Sequence, residues 1–168
     1  MHNLKLLHIV LVVCFIAVGC SSNDSQREFE NEAFAFPDGI TRTNDRGEII
    51  NEEVSPNDWR IAPFFQGLVN LFKPPFPNPV LTTGRVSIKL QVLSIDALSG
   101  VHVYVLHDFV SPKPIYNSLN PQIPPGLTVI TLNPLDIARF RENPQGIYRL
   151  IITDGRDNVI TYGDIEIE

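Results

Sequence analysis

Few side chains in this sequence could do chemistry, and the first to consider are two thiols. Cys14 lies inside the apolar run of residues 9–18, and Cys20 follows directly on Gly19 with polar Ser21-Ser22-Asn23-Asp24 behind it. Two histidines, His102 and His107, stand five apart on one predicted strand. They therefore point to opposite faces and cannot clamp one metal ion without a bulge. Asp154, Asp157 and Asn158 offer oxygen ligands but lack the alternating spacing and terminal glutamate of the helix-loop-helix calcium motif. A turn in which Asp and Asn bond their own backbone accounts for them better. Ser99-Gly100 lacks the strand-to-helix elbow of an esterase, and Glu166 and Glu168 share a strand face without a partnered base. Tyr104, Tyr116, Tyr148, Tyr162 and Trp59 could stack on sugar rings, or pack in the core or at sheet edges. These patterns call for no catalytic residue, no metal and no cofactor.

The elements that must position these residues begin with a leader. A polar, weakly basic start (His2, Asn3, Lys5, His8) runs into the apolar residues 9–18, too short for a membrane span of roughly 20 residues. Residues 1–19 read as a signal peptide. The segment Ile16-Ala17-Val18-Gly19-Cys20 resembles the lipobox of bacterial lipoproteins. That resemblance implies cleavage before Cys20, a diacylglycerol on its thiol and a membrane anchor of two or three acyl chains. Ser21 is compatible, by the same resemblance, with delivery to the outer membrane. An ordinary cleaved signal followed by a chance cysteine is the alternative.

Composition narrows the partners. The 168 residues carry a net charge of −6, and removal of residues 1–19 takes away only Lys5, leaving 12 Lys/Arg against 19 Asp/Glu. An acidic chain is a poor match for nucleic acid or anionic headgroups, both of which need cationic stripes. Membrane attachment would come from the lipid, at about 0.8 kcal/mol per buried CH₂. With Cys14 removed and Cys20 acylated, no disulfide remains.

Residues 20–58 differ in composition from residues 59–168. After Cys20 they hold ten acids against Arg27, Arg42 and Arg46, and their apolar residues show no sustained period. This predicts a flexible acidic linker. Phe29, Phe34 and Phe36 could dock on the domain or a partner, and Asn44-Asp45-Arg46-Gly47 could close a small hairpin. Residues 59–168 would form the folded domain. At its start, Trp59, Phe64 and Phe65 are candidate contacts for a ligand or partner, unless they cap the core.

From residue 82 the period is two. Val86, Ile88, Leu90 and Val92 alternate with polar residues, as do Val101, Val103 and Val105. Residues 68–72, 127–132, 147–153 and 159–167 complete the predicted strands, with prolines 74 and 75 keeping the stretch after residue 72 out of a central ladder. Asn133-Pro134 starts a short helix over 135–140, and residues 154–158 form a hairpin turn. Short strands with turn punctuation predict a small all-β antiparallel sandwich of about six to seven strands.

Residues 76–167 add a resemblance. Pro77-Asn78-Pro79 precedes a strand, Val103-Tyr104-Val105 lies in the next, and Gly146-Ile147-Tyr148-Arg149-Leu150 opens the penultimate one. This plan resembles the C-terminal sorting domains of the Por (type nine) secretion system and the related domain of flagellar hook-capping proteins. It implies an immunoglobulin-like sandwich. The expectation is a non-enzymatic, membrane-anchored lipoprotein of the bacterial envelope acting as an interaction or structural module with envelope proteins. Its alternatives are a glycan- or peptide-binding module and a secretion-associated sorting domain.

Overall fold

Strand alternation decides the architecture. A computed structural model describes residues 21–95, 98–107, 111–118 and 122–168; the signal peptide and Cys20 lie outside the described residues. Among the described residues, seven strands form two antiparallel sheets: β1 (Val69–Phe76), β2 (Val86–Val92), β3 (Val101–Leu106), β4 (Lys113–Asn117), β5 (Gly126–Leu132), β6 (Gly146–Asp154) and β7 (Val159–Ile167). Their order is β1-β2-β5 in one sheet and β4-β3-β6-β7 in the other. This is an immunoglobulin-like sandwich in which the fourth strand lies beside the third. Val86, Ile88 and Leu90 of β2 face inward, with Val101, Val103 and Val105 of β3 and Leu150 and Ile152 of β6, to make one core.

Tyr148, near the start of β6, donates its hydroxyl to the carbonyl of Pro144 at 3.0 Å. This tyrosine corner ties the chain down where it enters the sheet. Asn133 caps a short helix, α2 (Pro134–Ile137), by accepting from Leu135 N, as the Asn-Pro pair predicts. Asp154 takes the backbone N–H groups of Arg156 and Asn158 on one oxygen, which makes the β6–β7 hairpin a self-bonded turn.

Three expectations are corrected. The first predicted strand, 68–72, is too short: β1 runs on through Pro74 and Pro75 to Phe76. It stays out of a central ladder, as its prolines predict, because it is an edge strand whose register shifts twice. Residues 113–117, absent from the predicted strands, form β4, which pairs with β3 as the other sheet's edge.

The third correction concerns the flexible linker predicted over 20–58. Residues 21–33 form a helix, α1 (Ser21–Ala33), whose Phe29 and Ala33 belong to the buried core. These two lie one turn apart on one face, an apolar stripe too short to register as a period in the sequence. The following residues run back along β7. Thr43 exchanges backbone hydrogen bonds with Asn78, and the turn at Asn44–Glu48 closes as its side chain predicts, with Asn44 Oδ1 accepting from Arg46 N and Glu48 N.

The free edge of β7 is covered on its own chain. Trp59 N donates to Tyr162 O at 2.7 Å and Ala62 N to Ile160 O at 2.9 Å, while Val80 pairs in parallel with Ile167. Covering an edge this way removes a template for unwanted strand pairing.

Candidate functional site

The four-stranded sheet has one face on the core and another that would ordinarily face water. On that outer face stand His102, Tyr104 and Leu106 of β3, opposite Thr153, Ile151 and Arg149 of β6. Arg149 in turn pairs with Asp164 of β7, and Ile151 with Tyr162. A guanidinium and a carboxylate on an exposed face would be screened by water. Here α1 and residues 34–60 lie over them, and the pair is sealed: the Arg149 side chain is 2% exposed and that of Asp164 0%.

Every arm of Arg149 is used. Its Nε and Nη2 grip both oxygens of Asp164, Nη1 donates to the carbonyl of Glu32 at 3.0 Å, and Nη2 also reaches Phe36 O and Asp38 Oδ1 at 3.3 Å. The guanidinium carbon sits 5.0 Å from the centre of the Tyr162 ring. Burial alone would depress its pKa, but the hydrogen bonds and charge of Asp164 outweigh that, and the guanidinium is held above its usual value. Paired and fully hydrogen-bonded, the two charges escape the penalty a lone buried ion would carry.

Around this pair the N-terminal segment is pinned by further polar contacts. Tyr162 donates to Glu32 at 2.6 Å, and Arg60 bonds both. Burial, then the Glu32 carboxylate, pushes the Tyr162 hydroxyl up to about 12. Asp58 accepts from Thr41 N at 2.7 Å and from Asp164 N at 2.9 Å. Burial first, and then the neighbouring Asp164 anion, raises the Asp58 carboxyl to about 7. Phe29 packs on Tyr162 with ring centres 4.9 Å apart.

Beyond this cover the outer face is open. A hollow of about 240 Å³ lies among Phe34, Tyr104, Pro112, Ile151, Thr153 and Asp157. Its floor is Ile151, buried in the sheet, and Phe34 stands 44% exposed at its wall. Tyr104 donates to Asp157 Oδ1 at 3.3 Å, and His102 Nδ1 lies 3.8 Å from the same oxygen. Burial and the Asp157 carboxylate both raise the Tyr104 pKa. The hydroxyl of Thr153 is buried and has no hydrogen-bond partner. A second hollow of about 300 Å³ involves Phe36, Pro37, His107, Arg139, Phe140 and Tyr148, so residues 34–37 contribute to both.

The sequence-predicted contact residues divide. Trp59 is buried at 6% exposure and Phe65 at 0%; both are core, and only Phe64, at 60%, faces solvent. Trp59 packs so closely on β7 that a Cβ at Gly163 would fall 2.3 Å from its ring. Cys20 lies outside the described residues. His102 and His107 are separated as their spacing requires: His102 sits by Tyr104 at the first hollow, while His107 contacts the carbonyl of Ile137. Among the described residues no three His, Cys, Asp or Glu side chains are grouped to hold a metal ion. Glu166, read as lacking a partnered base, forms an ion pair with Arg42 at 2.8 Å. The aromatic platform does not assemble, because Tyr162 is under Phe29 and Tyr148 closes the corner. The hollow's own walls come from residues 34, 104, 151 and 157, which no local pattern connects.

No protein-family model and no curated protein matches this sequence. Solved structures give partial likenesses of fold. A lytic polysaccharide monooxygenase from Jonesia denitrificans matches with a TM-score of 0.33 and 14% identity over 56% of this chain and 58% of that one. A Niemann-Pick type C2 protein from the Japanese carpenter ant matches with a TM-score of 0.31 and 15% identity over 53% and 78% of the two chains.

Proposed function

We propose that this protein is a non-enzymatic recognition module of the bacterial envelope. It is held at a membrane, most simply the outer one, by lipid on Cys20, and it meets its partner through the outer face of the four-stranded sheet. The observation that carries the recognition reading is the open hollow on that face, where exposed Phe34 and half-buried Tyr104 flank a concave apolar floor. Exposed aromatic rings beside a concavity are a common form of binding surface. The same observation favours the glycan- or peptide-binding reading over a purely structural role. The anchoring part is supported by Gly19-Cys20 behind the short apolar run.

The anchor has a direct test. Cells expressing the full chain should incorporate labelled fatty acid into it and keep it in the membrane fraction. Cys20→Ala should abolish the label and release the protein. Full membrane retention of that variant would refute the anchor, and leave the hollow to be judged separately.

A further inference from the structure

We infer that the hollow between Phe34 and Tyr104 is a receptor for a cationic side chain, an arginine or lysine carried by a partner protein. This rests on the recognition reading above and names the chemistry it selects. The walls are two aromatic rings, the floor is Ile151, and one carboxylate, Asp157, stands at the rim. Among the described residues no lysine or arginine pairs with Asp157; its neighbours are the Tyr104 hydroxyl and the imidazole of His102. The carboxylate side chain is 77% exposed, so its charge is available to a visitor. The chain around it is acidic, with a net charge of −6, and it attracts cations over anions.

A long basic side chain satisfies each of these groups together. Its methylene stem lies on the Ile151 floor, and its charged head faces the aromatic rings of Phe34 and Tyr104 and reaches the exposed Asp157 carboxylate. A neutral sugar could stack on the rings but would leave the Asp157 charge uncompensated. A fatty chain would likewise leave the exposed Asp157 carboxylate without a counter-charge. Complementarity of charge and shape therefore selects the basic side chain.

The test uses full-length protein in neutral detergent micelles, titrated with N-acetyl-arginine amide and with N-acetyl-citrulline amide, its uncharged near-isostere. Backbone resonances of residues 104, 151, 153 and 157 report binding. The arginine amide should shift them saturably, and citrulline should bind roughly tenfold more weakly. Asp157→Asn should erase that difference. This variant keeps an oxygen for Tyr104, and asparagine tolerates the positive φ of 64° at this position, so the fold is retained. Equal binding of the two amides, unchanged preference in Asp157→Asn, or no shift with either would overturn the proposal. A neutral disaccharide that shifts the same resonances when arginine does not would overturn it too, while leaving a recognition module intact.

Discussion

Both polar atoms of the Asn78 side chain are engaged, tying residue 41 to the last strand, β7. Its amide nitrogen donates to Thr41 O at 3.0 Å and Asp164 O at 2.9 Å, and its oxygen accepts from Glu166 N at 2.9 Å, all at a fully buried position. Asn78→Ala would leave those groups without partners, so we expect a loss of about 2–4 kcal/mol in urea denaturation. A loss below about 1 kcal/mol would mean that the backbone closes the gap. Asp58 is the second informative residue. Its folded-state value of about 7 lies above the ordinary 3.8, raised first by burial and then by the neighbouring Asp164 anion. Between those values the native chain holds a proton the unfolded chain has released. Asp58 therefore makes stability fall as pH rises from about 4 to about 7, and the decline levels off above that. Asp58→Asn should flatten this part of the stability profile, measured by denaturant midpoints across the same range; an unchanged slope would show that another group causes it.

At the scale of elements, α1 is the surprise. Phe29 and Ala33 give it an apolar face, while the bonds from Arg60 and Arg149 to Glu32 fasten its last turn. A helix held this way should resist trypsin at Arg27 as firmly as the sandwich resists it elsewhere. Phe29→Ala removes the ring that seats the helix on Tyr162, and cleavage there should accelerate by roughly two orders of magnitude. Fast cleavage of the unaltered chain at Arg27 would show the helix to be undocked. The strands, by contrast, were legible from their residues. β2 and β3 alternate cleanly because one face of each is buried, and the turn at residues 154–158 carries its own side-chain signal. β4 was not legible, since Pro114 reads as a loop and only an edge position makes it tolerable in a ladder.

For the whole molecule, the sequence revealed the body but concealed its cover. The sandwich rests on local alternation, which can be read within a dozen residues. The cover rests on polar contacts between distant segments, such as Arg149 with Glu32 and Asp38, or Asp58 with Asp164, and no window of sequence contains both partners. The burial of Trp59 was equally hidden, because it depends on Gly163 leaving room. The hollow obeys the same rule: Phe34 belongs to the cover and Tyr104 to the body.

Gln26 of α1 already touches the body at Phe64 N, so only five residues lie between Cys20 and that contact. If Cys20 carries lipid, so short a spacer would let a bilayer set the posture of the sandwich instead of merely limiting how far it drifts. Which flank looks outward would then be decided by a few backbone torsions around the acylated sulfur. A partner would have to approach from the side that this posture leaves uncovered.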